Sequence, residues 1–90
     1  MRARRRAVID EYVEGGRAAV FSVEGMVVVL SELATTAWSV LGADWTSAYA
    51  VADALVAEFG APADESGALV LTEQALRTLS EHALVELDDA

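Results

Sequence analysis

The first third of the chain alternates short apolar runs with glycine-containing turns. Residues 7–13 mix β-branched and aromatic side chains with acids, residues 17–23 alternate apolar and polar side chains, and residues 26–30 are all apolar. Gly15-Gly16 and Glu24-Gly25 separate these runs, and glycine permits the positive φ angles of a tight hairpin. The pattern therefore predicts three strands joined by two short turns, which is an antiparallel meander.

Helical periodicity replaces this pattern from Ser31 onward. Hydroxyl side chains satisfy free N–H groups at a helix start, and three of them are predicted to be N-caps: Ser31, Thr46 and Thr72. The apolar stripes that follow have helical spacing: Ala34, Ala37, Trp38 and Leu41; Ala48, Ala52, Leu55 and Phe59; Ala75, Leu76, Leu79 and Ala83. Residues 61–68 are predicted to form a loop, and three late apolar residues are predicted to pack back on the core: Leu84, Val85 and Leu87.

The element order is therefore βββααα, an α+β fold in which a small sheet packs on three helices. The length of 90 residues corresponds to one domain, so residues 1–90 are expected to form a single unit. Helices two and three, with the loop between them, predict a winged-helix-like arrangement. Residues 26–30 are unusual within it, because periodicity alone favours a strand that the domain covers on both faces.

Charge is distributed unevenly along the chain. The net charge is −9, and four of the six basic residues lie at one end: Arg2, Arg4, Arg5 and Arg6. A short terminal charge run is usually solvated, so residues 1–6 are predicted to be a flexible basic tail. The rest of the chain is acidic and would repel phosphate backbones, which argues against a nucleic-acid partner.

Several residue types that carry chemistry are missing or isolated. The chain has no cysteine, which excludes disulfides and thiolate metal sites and fits a cytoplasmic location. No apolar stretch approaches the roughly 18 residues of a membrane span, so no membrane association is expected. His82 is the only histidine, and no carboxylates or serines stand in a catalytic pattern. We therefore expect no enzyme activity, no cofactor and no metal.

A motif begins at the end of the third predicted strand. It consists of Leu30-Ser31, Ala34, Trp38, Leu41-Gly42 and Thr46, then Val51, Leu55 and Phe59, then Leu76, Leu79 and Leu84-Val85. The order and spacing of these residues, over positions 17–87, resemble the PqqD-like family, the RiPP recognition elements. Members of that family are small βββααα domains that bind the leader peptides of ribosomally synthesised, post-translationally modified peptides.

The resemblance implies where a peptide would bind. In the family the leader adds as an extra antiparallel strand beside the third strand, and the third helix holds its other side. The implied peptide-binding residues are Met26, Val27, Val28, Val29 and Leu30 on the strand, and Leu76, Arg77, Leu79 and Ser80 on the helix. Arg77 would pair with a leader carboxylate. The sequence leaves open which alternate strand side chains face the helices.

The function that the resemblance implies is that of a non-catalytic peptide-binding protein. It would hold a precursor leader peptide and deliver it to a separate modifying enzyme, which is a peptidase, a cyclase or a radical enzyme. The alternative is a winged-helix DNA-binding regulator, although helix three offers only Gln74 and Arg77 among several acids. A third reading is a homodimer in which strand three pairs with its own copy.

Overall fold

In the described parts of the chain, four strands precede the first of three helices, one short strand lies between the first two helices, and one strand follows the third. The computed structural model describes residues 1–62 and 67–89. The elements are β1 (Arg2–Arg5), β2 (Val8–Glu14), β3 (Arg17–Ser22), β4 (Val27–Val29), α1 (Glu32–Val40), β5 (Thr46–Ser47), α2 (Ala48–Phe59), α3 (Gly67–Glu81) and β6 (Val85–Asp88). The prediction of an α+β domain with strands followed by three helices is confirmed, but the strands form two sheets instead of one.

Strands β2, β3 and β4 form the predicted antiparallel meander. The central strand is β3, whose Ala19 lies opposite Tyr12 of β2 and Val29 of β4. Gly15 and Gly16 adopt φ angles of 61° and 77° in the β2–β3 turn, in the left-handed region that favours glycine. The hairpin signal in the sequence was therefore sound, because it depends only on local backbone conformation.

A second antiparallel sheet, with the order β5-β1-β6, joins the two ends of the described chain. Ala3 of β1 lies opposite Thr46 of β5 and Leu87 of β6, and its side chain is fully buried. The prediction that residues 1–6 form a flexible tail is therefore wrong for Arg2–Arg5, which are the central strand of this sheet. Strand β1 buries only Ala3, and one alanine among four arginines gives no sign of a strand in the sequence.

The outer face of the second sheet pairs two of the four N-terminal arginines with carboxylates. Arg2 Nη2 lies 2.6 Å from Asp88 Oδ2, and Arg4 Nη2 lies 2.8 Å from Glu86 Oε2. Both guanidinium groups also lie over the ring of Trp45, at 5.0 and 4.4 Å from its centroid. These partners come from the far end of the described chain and from the loop before α2, so a local charge pattern could not indicate them.

Two of the three predicted helix caps are wrong. Ser31 caps α1 as predicted, and its hydroxyl accepts a hydrogen bond from Ala34 N. Ser47, one residue later than predicted, caps α2, and its hydroxyl accepts a hydrogen bond from Ala50 N. Thr72 lies inside α3, where it is buried and donates to Ala68 O at 2.7 Å. Of the predicted loop at 61–68, residues 67 and 68 are helical, and residues 63–66 lie outside the described residues.

The core is formed by all three helices together with one face of each sheet. Its buried apolar residues are Ala3, Ala18, Val20, Leu30, Ala37, Trp38, Leu41, Ala48, Val51, Leu55, Leu76, Leu79, Leu84 and Val85. The predicted burial of Trp38 and the return of Leu84 and Val85 to the core are confirmed. Phe59 was predicted to be buried but, as the last residue of α2, it is 46% exposed.

Arg5 connects the two sheets to α1. Its guanidinium lies 4.1 Å from the centroid of the Trp38 ring and donates to Trp38 O from Nε at 3.0 Å and from Nη2 at 2.8 Å. Its Nη1 lies 3.1 Å from Glu11 Oε1 on β2, and Trp38 Nε1 donates to the other carboxylate oxygen of Glu11. One arginine from β1 thereby sets the position of β2 against the helical layer.

Candidate functional site

Strand β4 is an edge strand of the meander and pairs with β3 alone among the described strands. Ser22 N donates to Met26 O at 2.8 Å, and Leu30 N donates to Ala18 O at 2.8 Å. Residues of an antiparallel pair alternately turn their main-chain groups toward and away from the partner strand. The main-chain groups of Val28 therefore point toward β3, as those of Met26 and Leu30 do. The N–H and C=O groups of Val27 and Val29 point to the open side.

The side chains of β4 divide between a core face and an outer face. Val28 is half-buried against the core and Leu30 is buried in it. Val27 and Val29 are each 60% exposed on the opposite face, and Met26 is also exposed. The orientation that the sequence left open is thus decided, because Leu30 and Val28 must supply the contact between this strand and the helices.

Neighbouring strands extend this outer face. The cross-strand register places Val29 beside Ala19 and Tyr12, and it places Val27 beside Phe21 and Asp10. A shallow depression of about 110 Å³ lies on this face and is lined by Asp10, Glu11, Tyr12, Ala19, Phe21 and Val27. An exposed apolar sheet face next to an open edge is a common feature of protein interaction sites.

The hydrogen-bond ladder between β3 and β4 ends at Leu30. Ala18 N does not return a bond to the Leu30 carbonyl but donates to Thr35 Oγ1 of α1 at 2.8 Å. The Leu30 carbonyl instead accepts from Arg17 Nε at 3.0 Å. The Arg17–Leu30 bond lies on the side of β4 that faces β3, so it leaves the main-chain groups of Val27 and Val29 on the open side free for an incoming strand.

Strand β2 is the other edge of the meander, and it is less suited to pairing. Its register with β3 shifts between Val8 and Asp10, and it carries three acids: Asp10, Glu11 and Glu14. Bulges and charged side chains are devices that discourage a second strand from adding to an edge. The Val27–Val29 segment has neither, so β4 is the better candidate for strand addition.

Two of the helix residues predicted to wall a groove are core residues instead. Leu76 is 0% and Leu79 is 1% exposed, so neither can touch a peptide in this structure. Leu30, on the strand side, is buried in the same way. The substantial contacts of α3 are with α1, α2 and β6, and Arg77 Nη2 lies 3.7 Å from Asp89 just beyond β6. Ser80 is half-buried.

The residues that the sequence analysis missed are Asp10, Tyr12 and Phe21. They lie on the two neighbouring strands and face the same side as Val27 and Val29. The alternation of residues 17–23 already placed Phe21 on one side of its strand. What it could not show is that the buried side is that of Ala18 and Val20, and that the side of Phe21 is exposed.

Most guanidinium groups of the chain are occupied by carboxylates. Arg2, Arg4, Arg5 and Arg77 each lie within ion-pair distance of a carboxylate. Among residues 1–62 and 67–89, Arg6 and Arg17 have no ion pair. Four exposed acids near the meander also have none there: Asp10, Glu14, Glu24 and Glu32. The surface around the meander is therefore negative and favours neutral or cationic partners.

A second concavity lies between the helices. It has a volume of about 230 Å³, and its lining is almost entirely apolar, with Leu33, Leu55, Phe59 and Leu71 among the residues that form it. Its rim reaches Pro62 and Ala68, which flank the undescribed residues 63–66. No three histidine, aspartate or glutamate side chains of the described chain are grouped to hold a metal ion.

Comparisons of the chain with family models, with curated proteins and with solved structures give no match. No helix in the described parts of the chain has the length and apolar character needed to cross a membrane. The function must therefore be inferred from the open main-chain groups of β4, the apolar face beside them and the motif that begins at Leu30.

Proposed function

We propose that this protein is a non-catalytic peptide-binding protein that captures an extended segment by strand addition at β4. The observation that carries the proposal is the set of main-chain N–H and C=O groups of Val27 and Val29, which point to the open side of an edge strand. An extended peptide satisfies such groups by pairing with them. The sequence resembles the RiPP recognition elements, and this resemblance supports a leader peptide as the bound segment. The protein would then deliver the ribosomally synthesised precursor to a separate peptidase, cyclase or radical enzyme.

Main-chain pairing alone does not stabilise such a complex. Four new hydrogen bonds contribute about 2–6 kcal/mol net, whereas ordering six peptide residues costs about 6–12 kcal/mol of backbone entropy. Two or three apolar anchors at about 1.5–3 kcal/mol each offset the difference. The exposed side chains of Phe21, Val27 and Val29 lie beside the edge and supply the surface for such anchors.

The arrangement of α2 and α3 is proposed to be winged-helix-like, and α3 is proposed to flank the bound segment. Its accessible residues for that role are Arg77 and Ser80, since Leu76 and Leu79 lie in the core. Arg77 lies near Asp89, so a leader carboxylate would have to compete for its guanidinium.

The winged-helix DNA-binding alternative finds little support in the charges. Arg2, Arg4 and Arg5 are paired with carboxylates, and the exposed side of α3 mixes Gln74 and Arg77 with Glu81. Duplex binding requires several cations free to replace counterions on phosphates. Pairing of β4 with a second copy of the chain uses the same main-chain groups as peptide binding and is an outcome of the test below.

Titration of the ¹⁵N-labelled protein with an acetylated, amidated heptapeptide, Thr-Val-Thr-Gln-Thr-Val-Thr, tests the proposal. We expect the largest amide shifts at Val27 and Val29. A peptide of the same sequence, N-methylated at alternate residues on its pairing edge, is the control and should cause no such shifts. Shifts confined to Arg2–Arg6, or equal shifts with the methylated peptide, would show that strand addition at β4 is wrong. Concentration-dependent shifts of the same amides without peptide would favour the homodimer.

A further inference from the structure

The row of residues that crosses the outer face from Val27 ends in an unpaired carboxylate. Phe21 lies opposite Val27 on one side and opposite Asp10 on the other, so the row runs from an aliphatic to an aromatic to an anionic side chain. The three residues line the same shallow depression. Asp10 Oδ1 accepts from Glu11 N at 2.8 Å, which holds the carboxylate in place without neutralising it.

The chain itself places arginines against comparable pairs of an aromatic ring and a carboxylate. Arg5 lies over Trp38 and contacts Glu11, and Arg4 lies over Trp45 and contacts Glu86. Within the described residues, no arginine lies over Phe21 and none is paired with Asp10. The Phe21–Asp10 pair thus has the composition of the internal arginine sites but lacks a cation from this chain.

A strand added beside β4 would bring a side chain to this row. The peptide residue opposite Val27 projects on the same outer face, because directly opposed residues share a face. Two strand spacings, about 10 Å, separate that residue from Phe21. An arginine side chain and a phenylalanine side chain together cover this distance, with the aliphatic stem of the arginine passing over Val27.

We propose that Val27, Phe21 and Asp10 form a subsite for an arginine of the bound peptide, an inference that rests on the proposed strand addition. The stem packs on Val27, the guanidinium lies over the ring of Phe21, and the Asp10 carboxylate balances its charge. The neighbouring row of Val29, Ala19 and Tyr12 has no carboxylate. The cation therefore selects the position opposite Val27 and sets the register of the peptide.

The negative surroundings support a cationic peptide more than an acidic one. Glu14, Glu24 and Glu32 are exposed near the meander, and the one guanidinium on its outer face, Arg17, is bound to the Leu30 carbonyl. Such a field favours a cation over its neutral isostere and weakens as salt is added.

The test compares two fluorescein-labelled heptapeptides, Thr-Val-Thr-Arg-Thr-Val-Thr and its citrulline analogue, which keeps the shape of arginine without its charge. Fluorescence anisotropy at low salt should give a Kd about fivefold lower for the arginine peptide. In Asp10→Asn, which retains an oxygen for the Glu11 N–H, this preference should fall below about twofold. Glu58→Gln removes an exposed charge from α2 and should preserve the preference.

The outcomes separate the subsite from strand addition itself. If both peptides shift the amides of Val27 and Val29 but bind wild-type protein equally, the arginine subsite is wrong and strand addition stands. A preference that survives in both Asp10→Asn and Phe21→Leu also overturns the subsite. If neither peptide shifts those amides, strand addition at β4 is wrong, and the subsite fails with it.

Discussion

Arg17 donates from Nε to the carbonyl oxygen of Leu30, 3.0 Å away, at the point where strand β4 gives way to helix α1. The bond occupies a carbonyl that would otherwise have no partner in the β3–β4 ladder, because Ala18 N is directed to Thr35. A side chain of β3 thus ends the ladder between β3 and β4 at Leu30, on the side away from the open groups of Val27 and Val29.

Removal of this bond should destabilise the domain modestly. We expect Arg17→Ala to lower the free energy of unfolding by about 1 kcal/mol, because a charged donor is lost from a part-buried carbonyl. Arg6→Ala is the matched control, since Arg6 is exposed and unpaired among the described residues, and should change stability by less than about 0.5 kcal/mol. Urea denaturation measures both, and equal effects would contradict a role for the Arg17–Leu30 bond.

Proline substitutions can separate the two edges of the meander. Val29 N–H points to the open side of β4, so Val29→Pro removes a donor that no residue of β3 uses. Val13 is opposite Ala18, whose carbonyl turns to Leu30, so the N–H of Val13 points to the open side of β2. Val13→Pro is therefore the same chemical change on the opposite edge.

We expect Val29→Pro to weaken binding of the heptapeptide about tenfold, since it loses a hydrogen bond and adds a steric block. Val13→Pro should bind as wild type does. Fluorescence anisotropy gives the affinities, and circular dichroism checks that both variants fold. Equal weakening by the two prolines, or none by either, would argue that peptide binds elsewhere.

Glu11 should contribute more to stability than its exposed neighbours on β2. Its carboxylate joins Arg5 to Trp38 Nε1, and its removal leaves a buried indole N–H without an acceptor. We expect Glu11→Ala to cost about 2 kcal/mol of unfolding free energy. Glu14→Ala, three residues later on the same strand and without an ion pair among the described residues, should cost less than about 0.5 kcal/mol. Thermal and urea unfolding compare the two variants. A similar loss in both would contradict a stabilising role for the contacts of Glu11 with Arg5 and Trp38.

Deletion of residues 1–5 should disrupt the fold, since β1 is the central strand of the second sheet. The deletion removes the buried Ala3 and the half-buried Arg5, and it uncovers the apolar face of β6. We expect a loss of more than about 3 kcal/mol or of cooperative unfolding. The double variant Arg2→Gln and Arg4→Gln removes two exposed ion pairs and the cation–π contacts with Trp45, and should lose no more than about 2 kcal/mol. If the truncated chain were as stable as the full chain, the prediction that residues 1–6 form a flexible tail would be supported instead.

Local patterns in the sequence determined those features whose causes lie within a few residues. Ser31 caps α1, and Gly15 and Gly16 form a hairpin, because each depends on local backbone geometry and nearby hydrogen bonds. The periodicity of α1 likewise indicated the burial of Trp38, whereas the alternation of β3 did not show which of its two sides faces the core.

The tertiary structure alone decided which edges pair and which faces stay open. Arg2–Arg5 become a strand because Glu86 and Asp88, near the other end of the chain, lie opposite them. Leu76 and Leu79 belong to the core rather than to a groove because α3 packs on α1, α2 and β6. Strand pairing and helix packing join residues that are distant in sequence, so no local periodicity of the sequence predicts these contacts. The same contacts leave the main-chain groups of Val27 and Val29 exposed.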